Sequence, residues 1–278
     1  MRGRCLCGDI AWEGTGEGEL VHHCHCGMCR KSSGTAFTTM GAFPAASFRF
    51  VRGADRVARY QTSPGGQRCF CPRCGSSVPG APFEDRVFVP FGNLEDDPGG
   101  RPTVHIFVAH KAPWYEITDD LPRFDAYPPG YGEALSPPAS VTQADPVRGS
   151  CLCGAIAYTF TGPVDAWNNC HCSRCRFARG AAHASNLFVS VERFSWTRGG
   201  DLVAAYKVPE AERFGQNFCP TCGGKVPRVN TQRGYVTIPA GSLDDDPGVR
   251  PARHIYVDSK APWFEITGDL PRFAEMPA

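Results

Sequence analysis

The stretch RGRCLCGDIAW at residues 2–12 returns as RGSCLCGAIAY at residues 148–158. Two more cysteine motifs follow in the same order: CHCGMCR at 24–30 returns as CHCSRCR at 170–176, and FCPRCG at 70–75 returns as FCPTCG at 218–223. Each copy therefore carries the pattern CxC, CxCxxC, CxxC. A repeat of this length within 278 residues indicates two domains of one kind, each long enough to form its own core.

The repeat also predicts where the domains begin and end. We expect copy one over residues 1–124, a linker over residues 125–146 and copy two over residues 147–278. The linker contains PPG and PP and few regularly spaced apolar residues, which favours a stiff, extended segment.

The pattern within each copy predicts a mainly β fold. Short runs such as RVFVP at 86–90 and GYVTI at 234–238 alternate in polarity and are bounded by glycine and proline. With 31 glycines and 25 prolines, the chain is interrupted too often for long helices. One short helix is expected after each CxCxxC motif, around residues 30–33 and 176–179.

Charge and hydropathy disfavour several classes of protein. The 29 basic and 28 acidic residues leave a net charge of +1 without runs of like charge, which argues against nucleic acid and against a polybasic membrane anchor. No apolar run is long enough to span a bilayer, and no signal-peptide segment precedes Cys5. We expect a cytoplasmic protein whose 15 cysteines are more often metal ligands than disulfides.

The first and third motifs can form a closed site of four cysteines in each copy, here named the tetrads. Cysteines two apart on a strand point to the same face, and the tight CxxCG turn brings two more thiolates together. Four thiolates are typical of a structural zinc site, with buried free thiols or two disulfides as the alternative. The predicted ligands are Cys5, Cys7, Cys71 and Cys74 in copy one, and Cys151, Cys153, Cys219 and Cys222 in copy two.

The second motif leaves three cysteines in each copy, here named the triplets. They are Cys24, Cys26 and Cys29 in copy one, and Cys170, Cys172 and Cys175 in copy two. Three thiolates leave one position of a tetrahedral zinc ion open. They also make the ion a weak Lewis acid, which favours binding another thiolate over activating water. We expect catalysis at the triplets, with a second structural zinc as the alternative.

Several residues are candidates for a fourth ligand of that second site. They are Cys69 and the histidines at positions 22, 23, 25, 105, 171 and 254. A residue between two cysteines of a strand faces away from their metal, which disfavours His25 and His171. A structural role is favoured for His105 and His254. Cys69 has no counterpart in copy two and shares the strand face of the nearby tetrad.

A further repeated block, KAPWYEITDDLPRF at residues 111–124, returns at residues 260–273 with two changes. Trp114 and Trp263 either seal the core of each copy or line a groove together with Lys111 for an anionic, partly apolar ligand. The core role is favoured.

Each copy resembles the glutathione-dependent formaldehyde-activating enzyme family, also called the centromere protein V family. The matching elements are GxCxCGxI, CHCxxCRK, FCxxCG, GxL(D/E)DxP, RPxxHI and KAPW, which cover nearly all of both copies. The resemblance implies two tandem zinc-binding β-tent domains made of small sheets. It also implies two zinc ions per copy, about four per chain, structural in the tetrads and catalytic in the triplets.

The resemblance further implies condensation of glutathione with formaldehyde to S-hydroxymethylglutathione, a carbon–sulfur lyase type of reaction. A small thiol would bind as thiolate and add to a small aldehyde. Candidate contacts to glutathione are Arg30, Lys31, Lys111 and Trp114. Copy two reads Arg176-Phe177 in place of Arg30-Lys31, which predicts a stronger response to thiols in copy one.

Two other hypotheses stay open. One is a non-catalytic zinc module that binds or carries a thiol or a protein partner. The other is a zinc-ribbon-like adaptor, although the near-zero net charge weighs against nucleic acid. In each case the tandem arrangement resembles a dimer within one chain.

Overall fold

The computed structural model describes residues 1–63, 66–130 and 141–277. The protein is mainly β, with two short α-helices in this part of the chain, so the predicted fold class is confirmed. No helix among these residues is long and apolar enough to cross a membrane. Residues 131–140 of the predicted linker lie outside the described residues.

Copy one forms three small sheets around one helix. Its elements are β1 Arg2–Arg4, β2 Ala11–Gly14, β3 Glu19–Cys24, α1 Gly27–Ser33, β4 Thr38–Pro44, β5 Phe48–Arg52, β6 Ala58–Ser63, β7 Gly66–Phe70, β8 Arg86–Pro90 and β9 Val104–Ile106. The sheets have the strand orders β1-β2-β5, β8-β4-β3-β9 and β6-β7. All pairs are antiparallel except β3 with β9.

Copy two repeats this plan. Its elements are β10 Val147–Ser150, β11 Ala157–Phe160, β12 Ala166–Cys170, α2 Ser173–Arg179, β13 Ala184–Ser190, β14 Phe194–Arg198, β15 Ala204–Lys207, β16 Gly215–Phe218, β17 Arg228–Asn230, β18 Tyr235–Pro239 and β19 Arg253–Ile255. The sheets have the orders β10-β11-β14, β17-β18-β13-β12-β19 and β15-β16. The extra strand β17 lengthens the largest sheet relative to copy one.

The predicted strand at 86–90 coincides with β8, and that at 234–238 is displaced by one residue from β18. Helix α1 begins three residues earlier than predicted because Cys26 caps it: its sulfur accepts a hydrogen bond from the backbone of Cys29 at 3.4 Å. The helix ends at Gly34, whose φ of 74° lies in the left-handed region that favours glycine. A cysteine is not among the usual capping residues, so the sequence did not indicate this start.

The two copies share one hydrophobic core. Its buried aromatic members include Trp12, Phe43, Phe91 and Trp114 of copy one with Tyr158, Phe160, Trp167 and Trp263 of copy two. The rings of Trp114 and Trp167 lie 5.2 Å apart, and those of Phe91 and Trp263 lie 5.5 Å apart. Burying one large apolar side chain contributes about 1.5–3 kcal/mol, so these contacts stabilise both copies together.

The helices bring the backbones of the two copies into contact. Helix α1 packs on the turn at residues 240–242, and α2 packs on the corresponding turn at residues 91–93. A Cβ atom at Gly92 would lie 2.0 Å from the backbone nitrogen of Ala181, and one at Gly241 would lie 2.3 Å from a backbone oxygen of α1. Both turns therefore require glycine, and the contact occurs twice, once in each direction.

A buried lysine lies where the copies meet. Lys225 is 0% exposed, and its ammonium group donates to the carbonyl oxygens of Ser32, Gly75 and Gly223 at 2.8, 2.6 and 2.7 Å. Burial lowers its pKa to about 7. Since two of the acceptors belong to copy one, this side chain connects the two CxxCG turns, although copy one has a serine at the corresponding position, Ser77.

The described ends of the predicted linker lie against the copies. Phe107 donates its backbone N–H to the carbonyl of Ala126 at 3.2 Å, and its ring lies 4.7 Å from that of Tyr127. At the other end, Thr142 and Ala144 exchange backbone hydrogen bonds with Asp246. Both ends therefore contribute to the surface of the copy that they adjoin.

Candidate metal centres and their surroundings

The four sulfurs of each tetrad lie within 4.8 Å of one another. In copy one the sulfur of Cys7 is 3.5 Å from that of Cys5 and 3.7 Å from that of Cys71, and the same distances recur in copy two. Four thiolates around zinc place their sulfurs about 3.8 Å apart. A disulfide would need about 2.05 Å, so the disulfide alternative is excluded and the donor set fits a tetrahedral metal ion.

Local backbone contacts hold each tetrad in place. In copy one the CxxCG turn is closed by a hydrogen bond of 2.8 Å from Gly75 N–H to the carbonyl of Cys71. Gly75 has a φ of 71°, which explains the glycine after the second cysteine. On the other side, the sulfur of Cys5 accepts the N–H of Ile10 at 3.3 Å, a bond of the kind that stabilises a thiolate.

The triplets are also brought together in both copies. Cys24 ends β3, Cys26 caps α1 and Cys29 lies in its first turn, and their sulfurs lie within 4.8 Å of one another. In copy two the same arrangement is built from the end of β12 and the start of α2. A strand that runs directly into a capped helix thus gathers three sulfurs from six consecutive residues.

Neighbouring thiols favour one thiolate in each triplet. Hydrogen bonds from Cys170 and Cys175 lower the pKa of Cys172 to about 3. In copy one, hydrogen bonds from Cys24 and Cys26 lower the pKa of Cys29 well below its ordinary value, and the nearby charge of Arg68 lowers it further. Because a metal binds the thiolate and not the thiol, both triplets are suited to hold an ion.

The repeated histidines pair with each other. His25 shares a hydrogen bond of 2.8 Å with His105, which in turn bonds the carboxylate of Asp119 at 2.9 Å. Burial lowers the pKa of His25 to about 3, so its imidazole is neutral at neutral pH. His171 and His254 form the same pair in copy two, where the position of Asp119 is held by glycine.

Each copy places one further histidine beside these histidine pairs. The two further histidines, His23 and His183, occupy different positions of the repeat. His23 bonds the hydroxyl of Thr39 at 2.8 Å, and its counterpart in copy two is an asparagine. His183 lies 5.8 Å from Phe37, the residue that corresponds to it in copy one. Burial lowers the pKa of His183 to about 3.

Lys31, a predicted substrate contact, is bound by copy two. Its ammonium group donates to the carbonyl and the hydroxyl of Ser150 at 2.9 and 2.8 Å and to the carboxylate of Asp244 at 2.6 Å. These three bonds use all three of its N–H groups. Phe177 occupies the corresponding place in copy two, with the guanidinium of Arg4 4.6 Å from its ring centre. The Lys31/Phe177 difference therefore concerns the contact between copies.

The other predicted substrate contacts have different surroundings. Trp114 is 2% exposed and belongs to the shared core, in agreement with the favoured interpretation. Lys111 donates to the carbonyls of Ala112 and Tyr115, which lie in its own turn. Arg30 is buried beside the copy-one triplet, and its Nε has no hydrogen-bond partner among the described residues. Of the four candidates, Arg30 is the one with a free polar atom near the sulfurs.

The copy-one triplet is covered. All three of its sulfur-bearing residues are buried, and Nη2 of Arg68 donates to the sulfur of Cys29 at 3.4 Å. The charge of Cys29 raises the pKa of Arg68, so the guanidinium stays protonated. Ala126 packs on the same sulfur cluster, beside Phe107.

The copy-two triplet lies beside a cavity of about 380 Å³. Cys170 and Cys175 form part of the wall, and Cys172 is half-buried where the corresponding Cys26 is buried. Four arginines also line the cavity: Arg179, Arg213, Arg228 and Arg233. No carboxylate belongs to the lining that the structure describes.

The sequence patterns did not predict that these arginines lie beside a triplet. The signal was available in the differences between the copies: Arg68 corresponds to Gln216, and residues 76–85 of copy one contain no arginine or lysine where copy two carries Arg228 and Arg233. A larger open cleft of about 1090 Å³ lies between the copies, but its described lining contains no cysteine. Thiol chemistry is therefore favoured at the smaller cavity.

Comparison with known proteins agrees with these cysteine centres. A family model described as "Glutathione-dependent formaldehyde-activating enzyme" matches residues 1–110 and 146–259. A curated relative from Halomonas elongata, named "Putative glutathione-dependent formaldehyde-activating enzyme", is 30% identical over 129 residues, which cover 42% of this chain and 80% of that protein. A crystal structure of a Rhodobacter sphaeroides protein aligns with 24% identity over 37% of this chain and 98% of that chain, with a TM-score of 0.31, from which no shared fold follows. Because the family model matches most of the chain in two segments, this protein belongs to the glutathione-dependent formaldehyde-activating enzyme family, as two tandem copies.

Proposed function

We propose that the protein is a zinc-dependent enzyme of the carbon–sulfur lyase type, which adds a small thiol to a small aldehyde at a triplet. The observation that carries this proposal is the incomplete ligand set. Each tetrad has four sulfurs, whereas no histidine, carboxylate or fourth cysteine of the described residues joins the three sulfurs of a triplet. Closed sites are typical of structural zinc and incomplete ones of catalytic zinc.

In this proposal the two tetrads and the two triplets hold about four zinc ions per chain. The three cysteines of a triplet would hold zinc, which would supply a fourth position for a thiol in its thiolate form. The triplet cysteines are suited to this task because their three sulfurs lie within 4.8 Å of one another and no fourth ligand of the described residues joins them. The family description and the name of the Halomonas elongata relative favour glutathione as the thiol and formaldehyde as the aldehyde.

The protein's own residues supply a site in which both reactants meet. The reaction forms a bond between the thiol sulfur and the carbonyl carbon, opens the carbonyl double bond and moves the thiol proton to the oxygen through solvent. It therefore needs neither oxidant nor reductant. Holding the two reactants side by side replaces a chance encounter in solution. Phe214 and Tyr256, which pack on the copy-two triplet, give the cavity an apolar wall beside the sulfurs.

We further propose that the tandem copies act as a dimer within one chain. The shared aromatic core, the reciprocal helix-to-turn contacts and the Lys225 bridge support this arrangement. The cytoplasm is the proposed compartment, because all fifteen cysteines are free and a reducing environment keeps them so.

The test measures the rate of adduct formation by exchange NMR on glutathione and formaldehyde with zinc-loaded protein. Breaking both triplets in the Cys26→Ser/Cys172→Ser double variant should reduce the rate to that of the uncatalysed reaction and remove two zinc ions. Its circular dichroism should stay near that of the wild type. Cys69→Ser is the matched control, since this cysteine belongs to neither kind of cluster. Full activity in the double variant would place the reaction elsewhere.

A further inference from the structure

We propose that the two copies have different roles. Copy two binds the thiol substrate, a thiol with at least two carboxylates, while Arg68 caps the triplet of copy one. This inference rests on the proposed function in one respect, namely that a triplet binds a thiol. It assigns a substrate-recognition role to Arg213, Arg228 and Arg233 and a capping role to Arg68.

Arg68 contacts a sulfur of the copy-one triplet. A guanidinium that donates to a sulfur at 3.4 Å is a charge-assisted partner for a thiolate, and in copy one Cys29 is buried and Arg68 is half-buried. An incoming anionic thiol would have to compete with that internal contact. The corresponding residue of copy two, Gln216, donates to the carbonyl of Cys74 at 2.8 Å, which directs it to the contact between copies. The copy-two triplet thus lacks such a cap.

The arginines that line the cavity give it a positive charge. Arg179 is 8% exposed, and the acceptor that it bonds is the neutral side chain of Asn186, at 3.1 Å. A buried guanidinium without a carboxylate partner is costly, and an anionic ligand would offset that cost. The guanidinium of Arg228 bonds a backbone carbonyl, and the contacts of Arg213 and Arg233 to Glu212 are exposed and therefore weak. These cations are available to carboxylates.

These cations occur in copy two only. Arg213 lies in the connection at residues 208–214 between β15 and β16, whereas in copy one β6 ends at Ser63 and β7 begins at Gly66. Where copy two carries Arg228 and Arg233, residues 76–85 of copy one carry Glu84 and Asp85. A ligand with several carboxylates therefore meets arginines beside the copy-two triplet that copy one does not have at these positions.

The volume of the cavity limits the size of the ligand. A cavity of about 380 Å³ is within the range of sites for small ligands and suits a molecule of tripeptide size. Cysteine sulfurs form one part of its wall and arginines another, which matches a ligand with a thiol and separate carboxylates. Glutathione has this chemistry, and so does any short acidic peptide with a thiol.

The experiment is calorimetric titration of zinc-loaded protein with glutathione in the absence of aldehyde. We expect one site per chain. Cys172→Ser should weaken binding at least about tenfold more than Cys26→Ser. Arg228→Ala and Arg233→Glu should each weaken it about tenfold while the zinc content stays unchanged. Arg198→Ala, which alters an exposed arginine of copy two outside the cavity, is the matched control.

S-methylglutathione separates this inference from the proposed function, because it keeps both carboxylates and lacks a free thiol. If it binds more weakly than glutathione but still loses affinity in the arginine variants, and no turnover is seen with glutathione, the cavity assignment stands and the proposed function fails. If Cys26→Ser weakens glutathione binding more than Cys172→Ser does, or if neither arginine variant weakens it, the assignment of different roles to the two copies is overturned. The proposed function then survives, because it needs one working triplet.

Discussion

The two triplets have the same cysteine spacing and the same strand-to-helix geometry, but their neighbours differ. In copy one the sulfurs are buried and Arg68 contacts Cys29. In copy two the sulfurs border a cavity lined with arginines. The metal-ligand motif therefore recurs in both copies, whereas the residues on the adjacent hairpins differ between them.

The largest expected effect concerns the tetrads, which the copies have in common. Cys222→Ser removes one of four ligands from a site that ties β10 to the CxxCG turn, and we expect a loss on the order of 10 kcal/mol of folding free energy. Because Lys225 connects this turn to that of copy one, both copies should unfold together. Circular dichroism and zinc analysis measure this, with Cys172→Ser as the control that keeps its fold. A protease-resistant copy one in the Cys222→Ser protein would show that the copies fold independently.

The next test compares two lysines that each occur in one copy only. Lys225→Met leaves three buried carbonyl oxygens without their donor, so we expect a loss of about 3–5 kcal/mol in urea unfolding. Lys31→Met breaks a pair that is partly exposed to solvent, and the expected loss is about 1 kcal/mol. Equal losses would mean that Lys225 is not the main polar connection between the copies.

A smaller effect follows from the histidine that replaces Phe37 in copy two. The pKa of His183 is lowered to about 3 in the folded protein, whereas an unfolded histidine titrates near about 6.5. Between these values the unfolded chain binds the proton, so stability is complete above pH about 6.5 and falls as the pH drops.

His183→Phe gives copy two the residue of copy one and should remove this dependence. From pH 7 to pH 5 the wild type should lose about 2 kcal/mol more than the variant, as measured by urea unfolding at the two pH values. The same loss in both proteins would show that His183 does not stay neutral in the folded state.

The smallest effect tests the cap itself. Arg68→Gln gives copy one the residue of copy two, and we expect calorimetry to detect a second site for glutathione. That site should be about tenfold weaker than the first, since residues 76–85 of copy one contain no arginine or lysine. A binding stoichiometry that stays at one would show that something other than Arg68 closes the copy-one triplet.

The sequence predicted the tetrads and the triplets because ligand spacing on a strand or turn is a local property. It did not predict the partners of Lys31, which come from Ser150 and Asp244 of the other copy. Contacts between distant segments leave no periodic pattern, and for that reason Arg30-Lys31 suggested a more responsive copy one. The arginines of the cavity likewise come from separate elements, and only the fold brings Arg213 and Arg228 to the same cavity as Cys170 and Cys175.

The visible spectrum of cobalt-substituted protein during titration with glutathione tests most directly whether one triplet per chain is open to a thiol. A thiolate that completes the coordination of an open three-sulfur centre changes the bands of the bound ion. We expect a change from one cobalt ion per chain, complete at one equivalent of glutathione and absent in Cys172→Ser. Equal changes from both triplets would contradict the division between the copies. A spectrum that does not respond to thiol would contradict the open centre on which the proposed function depends.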